Sequence, residues 1–94
     1  MTLTGTYATV HAARYMQQLL KHFAHKIEVQ VGDSDGHAAL PVGPAAFTAT
    51  AAELRVEITL NDPEMAPRAR AIIDDHLARF AFREGFERMD WAEA

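Results

Sequence analysis

Leu54-Arg55-Val56-Glu57-Ile58-Thr59-Leu60 runs directly into Asn61-Asp62-Pro63-Glu64, and the reading of this stretch decides the class of the fold. Apolar and polar side chains alternate up to Leu60, the period of a strand with one face against a core and the other against water. The next four residues are a helix start. Asn or Asp can accept free amide hydrogens, proline tolerates the first turn, and glutamate favours the positive end of the helix dipole. Strand and helix therefore follow one another directly in one chain.

Downstream, Met65, Ala69, Ile72, Ile73, His76, Leu77 and Phe80 recur at spacings of three and four, which predicts a long amphipathic helix. Pro67 stands near its beginning. A proline beyond the first turn clashes with the carbonyl four residues back, so a distorted or delayed start is expected. Gly85 is the expected stop, and Phe86 to Trp91 can form a short closing strand with Met89 and Trp91 on one face. Upstream, Ile27, Val29 and Val31 alternate with Glu28 and Gln30, and Gly32 to Gly36 reads as a hairpin turn. His37 to Val42 returns as a second strand, Gly43-Pro44 turns the chain, and Ala45 to Thr50 makes a third. The Ala-rich run from Pro44 to Ala52 suggests close packing or an edge strand. Thr6 to Val10 is a short strand. After it, Ala12, Met16, Leu19, Leu20 and Phe23 form the stripe of a first helix, with Arg14, Gln17, Gln18 and Lys21 facing water.

The predicted order is β-α-β-β-β-β-α with a possible final strand. This is an α+β fold, an antiparallel sheet with two helices on one face. A chain of 94 residues is expected to make one domain spanning 1–94. Its 49% hydrophobic and 23% charged residues are the balance of a globular protein, far from a disordered one. The lack of cysteine excludes disulfides and thiolate zinc sites and fits a reducing compartment. No apolar run approaches the roughly 20 residues that cross a bilayer, and Met1 to Gly5 has no basic segment leading into an apolar one. A cytoplasmic location is expected, with no membrane partner. The formal net charge of -4 repels phosphate backbones, which argues against nucleic acid.

Within this acidic chain, Lys21-His22-Phe23-Ala24-His25-Lys26 is a basic knot at the end of the first helix. His22 and His25 project from neighbouring faces of one turn and could share a metal. The ordinary alternative is that such side chains interact with the negative end of the helix dipole, at about 0.3–1 kcal/mol each. His76 lies on the apolar stripe of the second helix, where a histidine is usually a core residue with one hydrogen bond. A sharper reading joins it to His22 and His25. Antiparallel helices argue against that union, because the end of the first would lie near the start of the second. His76 stands roughly 20 Å along the second helix from Pro63 at ~1.5 Å per residue. The same arrangement brings His11 towards Arg79, Arg83 and Glu84 as a polar seam. His37, after a turn glycine, is expected to be exposed, Asp74-Asp75 to lie on a solvated face, and Trp91 to cover the sheet in preference to anchoring a partner. There is no cysteine nucleophile, Gly-rich phosphate loop or His-Glu-x-x-His, and the one serine, Ser34, falls in a turn.

The segments Ala13-Arg14-Tyr15, Lys21 to Lys26, and His76-Leu77-Ala78-Arg79-Phe80-Ala81-Phe82-Arg83-Glu84 together resemble the bacterial family "domain of unknown function 2218" from about Thr6 to Trp91. The resemblance implies a fold similar to the carboxyl-terminal domain of phosphohexomutases, in the TATA-binding-protein-like class. It implies no established activity, since shape does not fix chemistry. Similar domains stand beside or fused to siderophore-interacting flavin reductases, which implies an accessory role in iron handling. An aldolase label carried by some members is set aside, because such aldolases look like barrels of roughly 250 residues.

Two functions are therefore expected from different classes. One is a non-catalytic binding or accessory module in which Lys21, His22, His25, Lys26, His76, Arg79, Arg83 and Glu84 are the candidate ligand-binding residues for a small anion or a protein partner. The other is a metal-dependent or acid-base enzyme using His22, His25 and His76 or Glu84. No cofactor and no metal ligand set is assigned, and a homodimer through sheet edge or face is a third expectation.

Overall fold

The computed structural model describes residues 1–93, with β1 (Thr2–Ala8), α1 (Ala12–Phe23), β2 (Val29–Val31), β3 (Asp35–Leu40), β4 (Gly43–Ala49), β5 (Glu53–Thr59), α2 (Ala66–Ala81) and β6 (Asp90–Glu93). The strands form one sheet in the order β2-β3-β4-β5-β1-β6, every neighbouring pair antiparallel. Both helices pack on one face, so the fold is α+β as expected, and the closing strand exists.

The patterns translate directly into burial. Leu54, Val56 and Ile58 of β5 are buried while Arg55 and Glu57 face out. In α1 the stripe Ala12, Met16, Leu19, Leu20 and Phe23 is buried together with Tyr15. In α2 Ala69, Ile73 and Leu77 are buried, and Ile72, His76 and Phe80 half-buried. Each fully buried Leu or Ile contributes about 1.5–3 kcal/mol, so these stripes rather than helix propensity hold both helices on the sheet.

Local geometry departs from expectation at several points. β1 starts at Thr2 rather than Thr6 and pairs along its length with β5. Its buried face carries Gly5, which supplies no apolar signal because the Trp91 ring of β6 fills that space; a Cβ on Gly5 would lie 2.7 Å from the ring. The turn after β3 falls at Pro41-Val42, and Gly43-Pro44 opens β4 instead of turning the chain. Gly43 takes φ 141°, and a Cβ there would run into the Thr59 carbonyl, so the glycine serves a close approach of strands. The Ala-rich β4 lies between β3 and β5, which makes it a close-packed interior strand and not an edge.

At the start of α2, Asp62 accepts the Glu64 amide at 2.9 Å over a single 3₁₀ turn, Pro63–Met65. The α-helix then begins at Ala66 with Pro67 in its first turn, where no intrahelical amide is needed. This is the delayed start, and it leaves Met65 exposed, off the stripe. A second 3₁₀ turn, Phe82–Glu84, follows α2 before left-handed Gly85 stops it. Asp74 is not simply solvated. Its carboxylate accepts the Met89 amide at 3.0 Å and the Trp91 indole N–H at 3.0 Å, which fastens β6 to α2. Trp91 covers the sheet.

Candidate functional site

The relative register of the two helices is set at one end by a carboxylate. Glu84 accepts hydroxyl hydrogen bonds from Tyr7 at 2.9 Å, from Thr9 at 3.0 Å and from Tyr15. Thr9 Oγ1 accepts the His11 amide at 3.1 Å, which fixes the start of α1 beside the same group. The Tyr15 hydroxyl above all, with those of Tyr7 and Thr9, holds the Glu84 carboxyl below its ordinary range. In return, partial burial and the carboxylate push Tyr7 up to about 12, and the hydrogen bond to Glu84 raises Tyr15 as well. Of the seam expected among His11, Arg79, Arg83 and Glu84, the Glu84 part stands beside the start of α1, whereas Arg79 lies at the other end of the helix pair with His22 and His76. The groups that bind Glu84 are two tyrosines and a threonine, of which only Tyr15, in the segment Ala13-Arg14-Tyr15, is marked in the sequence.

With that end pinned, the antiparallel helices must meet again at the other. From Tyr15 to His22, and from Glu84 back to His76, the two chains travel about the same distance, roughly 10–12 Å at ~1.5 Å per residue. The His22 and His76 rings accordingly lie 4.8 Å apart between centroids. This corrects the expectation that His76 stands far from the basic knot. The helices are antiparallel as predicted, but α2 is the longer, and the two are flush where α2 ends and not where it begins. The first turns of α2 run on past α1.

The meeting point is a cleft of about 510 Å³. His22, His25, Lys26, His76 and Arg79 supply its polar side, and Phe23, Ile27, Leu40, Pro41 and Ile72 its apolar side. Leu40 and Pro41 come from the β3–β4 turn, so three parts of the chain converge. Phe23 in the lining lies 5.2 Å from the His76 ring, and Phe80, outside the lining, packs 6.3 Å from the ring of His22. His76 Nδ1 lies 2.6 Å from the Ile72 carbonyl. A carbonyl can only accept, so Nδ1 carries the hydrogen and Nε2 is the free acceptor of the neutral ring. Burial first, then the nearby His76, Arg79, His25 and Lys26, lower the His22 pKa below 6.5. Among the described residues no acidic side chain lines this cleft.

Over residues 4–92 the chain matches the family described as "uncharacterized protein conserved in bacteria (DUF2218)". The chain belongs to this family. The NMR structure of PA4090 from Pseudomonas aeruginosa is similar to it at 27% identity and a TM-score of 0.78, covering 99% of this chain and 96% of that one. No curated protein matches the chain.

In this DUF2218 chain the candidate residues divide into two groups. His22, His25, Lys26, His76 and Arg79 share the cleft; Lys21 is exposed outside its lining. Glu84 stands at the opposite end of the helix pair, and Arg83 beside it has its guanidinium 5.7 Å from the Phe82 ring centroid. The DUF2218 sheet offers a second hollow of about 740 Å³ on its open face, where Glu28, His37, Ala39, Pro44, Ala46 and Glu57 are among the lining residues. His37 is exposed there, as expected. That hollow is larger but mixes carboxylates with small side chains, whereas the helix-side cleft converges cations on an apolar floor. No group of three or more His, Asp or Glu with metal-binding geometry exists among the described residues.

Proposed function

We infer that this domain is a small binding module whose helix-side cleft takes an anion with an apolar or aromatic body. One observation carries the reading. The cleft sets Arg79, Lys26 and three histidines against Phe23, Ile27, Leu40, Pro41 and Ile72, in a chain of net charge -4. Concentrating cations in an otherwise acidic protein has an electrostatic cost, and an anionic ligand offsets it. The arginine fork suits a carboxylate or similar oxyanion, and the apolar side accepts the rest of the molecule. The family resemblance adds ferric siderophores to the candidates, since catecholate complexes are both anionic and aromatic. An accessory role in iron handling follows on that reading. The lack of cysteine supports cytoplasmic residence, and the β-α-β-β-β-β-α order supports a fold similar to the TATA-binding-protein-like class. The acidic balance disfavours nucleic acid as a partner. With the cleft given to a ligand, the open sheet face is the surface for a second copy of the chain, and sedimentation at two concentrations tests it.

The test is a titration of aromatic carboxylates, phosphate and ferric siderophores against wild type, Arg79→Ala and the double variant His22→Ala, His25→Ala, followed by amide chemical shifts. Binding should perturb residues of α1's end, the middle of α2 and the β3–β4 turn, and Arg79→Ala should weaken it by about tenfold or more. Flat isotherms for every probe, or equal affinities in all three proteins, would remove the reading.

A second reading has one observation in its favour. His22 and His76 face each other, and the His76 Nδ1 contact with the Ile72 carbonyl resembles the outer hydrogen bond that orients metal-bound imidazoles. A metal-dependent or acid-base enzyme built on His22, His25 and His76 would draw on this pair. Metal analysis of untagged protein, with a thermal-shift screen against zinc, iron, nickel and manganese, separates it from the first; neither stoichiometric metal nor a shift would end it.

A further inference from the structure

We propose that the cleft gains a proton when it gains an anion, with the His22 imidazole receiving it. The proposal rests on the anion-binding reading above and adds its regulation by pH.

The geometry carries it. Two imidazoles 4.8 Å apart cannot both be protonated without strong repulsion, and their roles are unequal. His76 is committed through Nδ1 to the Ile72 carbonyl. His22 is half-buried at the end of α1 and faces cations from every element that bears charge there: His76 and Arg79 on α2, and His25 and Lys26 just beyond its own helix. The third wall, Leu40 and Pro41, is uncharged. A proton on His22 therefore finds burial and like charge and no carboxylate. In agreement with this, burial and those neighbours hold the empty site's His22 below its ordinary pKa of 6.5.

An anion seated against Arg79 and Lys26 supplies the missing countercharge, which raises the His22 pKa in the complex. The sign follows by linkage. Affinity is constant and highest below the His22 pKa of the empty site, and falls by up to tenfold per pH unit between the empty and the occupied pKa. It is constant again above both. Because the empty value is depressed, this window opens below 6.5. Such a module would hold its ligand in mildly acidic conditions and release it as pH rises.

The probe is 2-naphthalenesulfonate, whose single negative charge does not titrate in this range and whose rings fit the apolar side. Calorimetric titrations of the wild type from about pH 5 to about pH 8, at constant ionic strength and in two buffers of different ionisation enthalpy, should show net proton uptake. The affinity should weaken by about tenfold or more across the range. His22→Gln should bind with little pH dependence, whereas His37→Gln, in the hollow on the other face of the sheet, should keep the wild-type profile. So that the test does not depend on the folding of His22→Gln, the His22 ring proton is also followed by NMR in the wild type. Its titration midpoint should rise on saturation with the sulfonate. Binding with a pH-independent affinity, or an unmoved midpoint, overturns the proton coupling and leaves the anion site standing. No binding at any pH overturns both.

Discussion

Replacing Asp74 by alanine should loosen β6 from α2, and the size of the loss follows from what the carboxylate holds. It accepts the Met89 amide at 3.0 Å and the Trp91 indole N–H at 3.0 Å, both part-buried. Hydrogen bonds to a charged acceptor contribute about 1.5–3 kcal/mol each when buried. Asp74 is only half-buried, so water replaces part of the interaction and the lower end applies, about 2–3 kcal/mol for the pair. In a domain of this size each kcal/mol lowers the unfolding midpoint by about 4–8 °C, so a fall of roughly 10–20 °C is expected. Asp74→Asn keeps one acceptor oxygen and should lose less than half as much. Trp91 is the single tryptophan, so its fluorescence reports on this contact directly. In Asp74→Ala the native emission should shift to the red, and the β6 amides should exchange faster than those of β5. An unchanged midpoint together with unchanged emission would refute the view that Asp74 fastens the closing strand.

Gly5→Ala should destabilise by about 1–3 kcal/mol, because its Cβ would meet the Trp91 ring at 2.7 Å; in a Trp91→Ala background the same change should be nearly neutral, and additive effects in that cycle would disprove the contact. Glu84→Gln should cost stability at neutral pH but not in acid. The folded carboxyl is depressed below the ordinary 4.5, so its contribution is present above that value and disappears as pH falls through the lower folded value. Melting temperatures of the two proteins should therefore converge in acid, and a constant gap would contradict the clasp. Tyr7 and Tyr15 are the two tyrosines of the chain and both bond Glu84, so phenolate absorbance should titrate well above the ordinary 10 in the wild type and lower in Glu84→Ala. The raised tyrosines bring stability that is full below 10 and is lost as pH rises towards about 12; a single transition near 10 in both proteins would count against it.

The order of elements is readable in the chain because alternation and three-to-four spacing are local, and burial follows them residue by residue in β5, α1 and α2. Signals fail where a neighbour distant in sequence fills the space. Gly5 falls before the strand expected from Thr6 yet lies mid-strand against Trp91, and Gly43-Pro44 reads as a turn yet opens β4 because Thr59 passes close by. Asp74 reads as solvent-facing because its donors, Met89 and Trp91, lie on another element.

The candidate site divides the same way. Residue types and their positions on the helix faces established the basic knot, the half-buried His76 and the cationic residues around them. Whether His22 meets His76 depended on which ends of two unequal helices are flush, a quantity with no local signature. Tertiary structure decided it through Glu84 and its three hydroxyl donors at one end, from which equal helical rise carries His22 to His76 at the other. Periodicity determines which face of a helix is buried, whereas sliding a helix along its axis leaves that face unchanged, so only contacts between elements set the register.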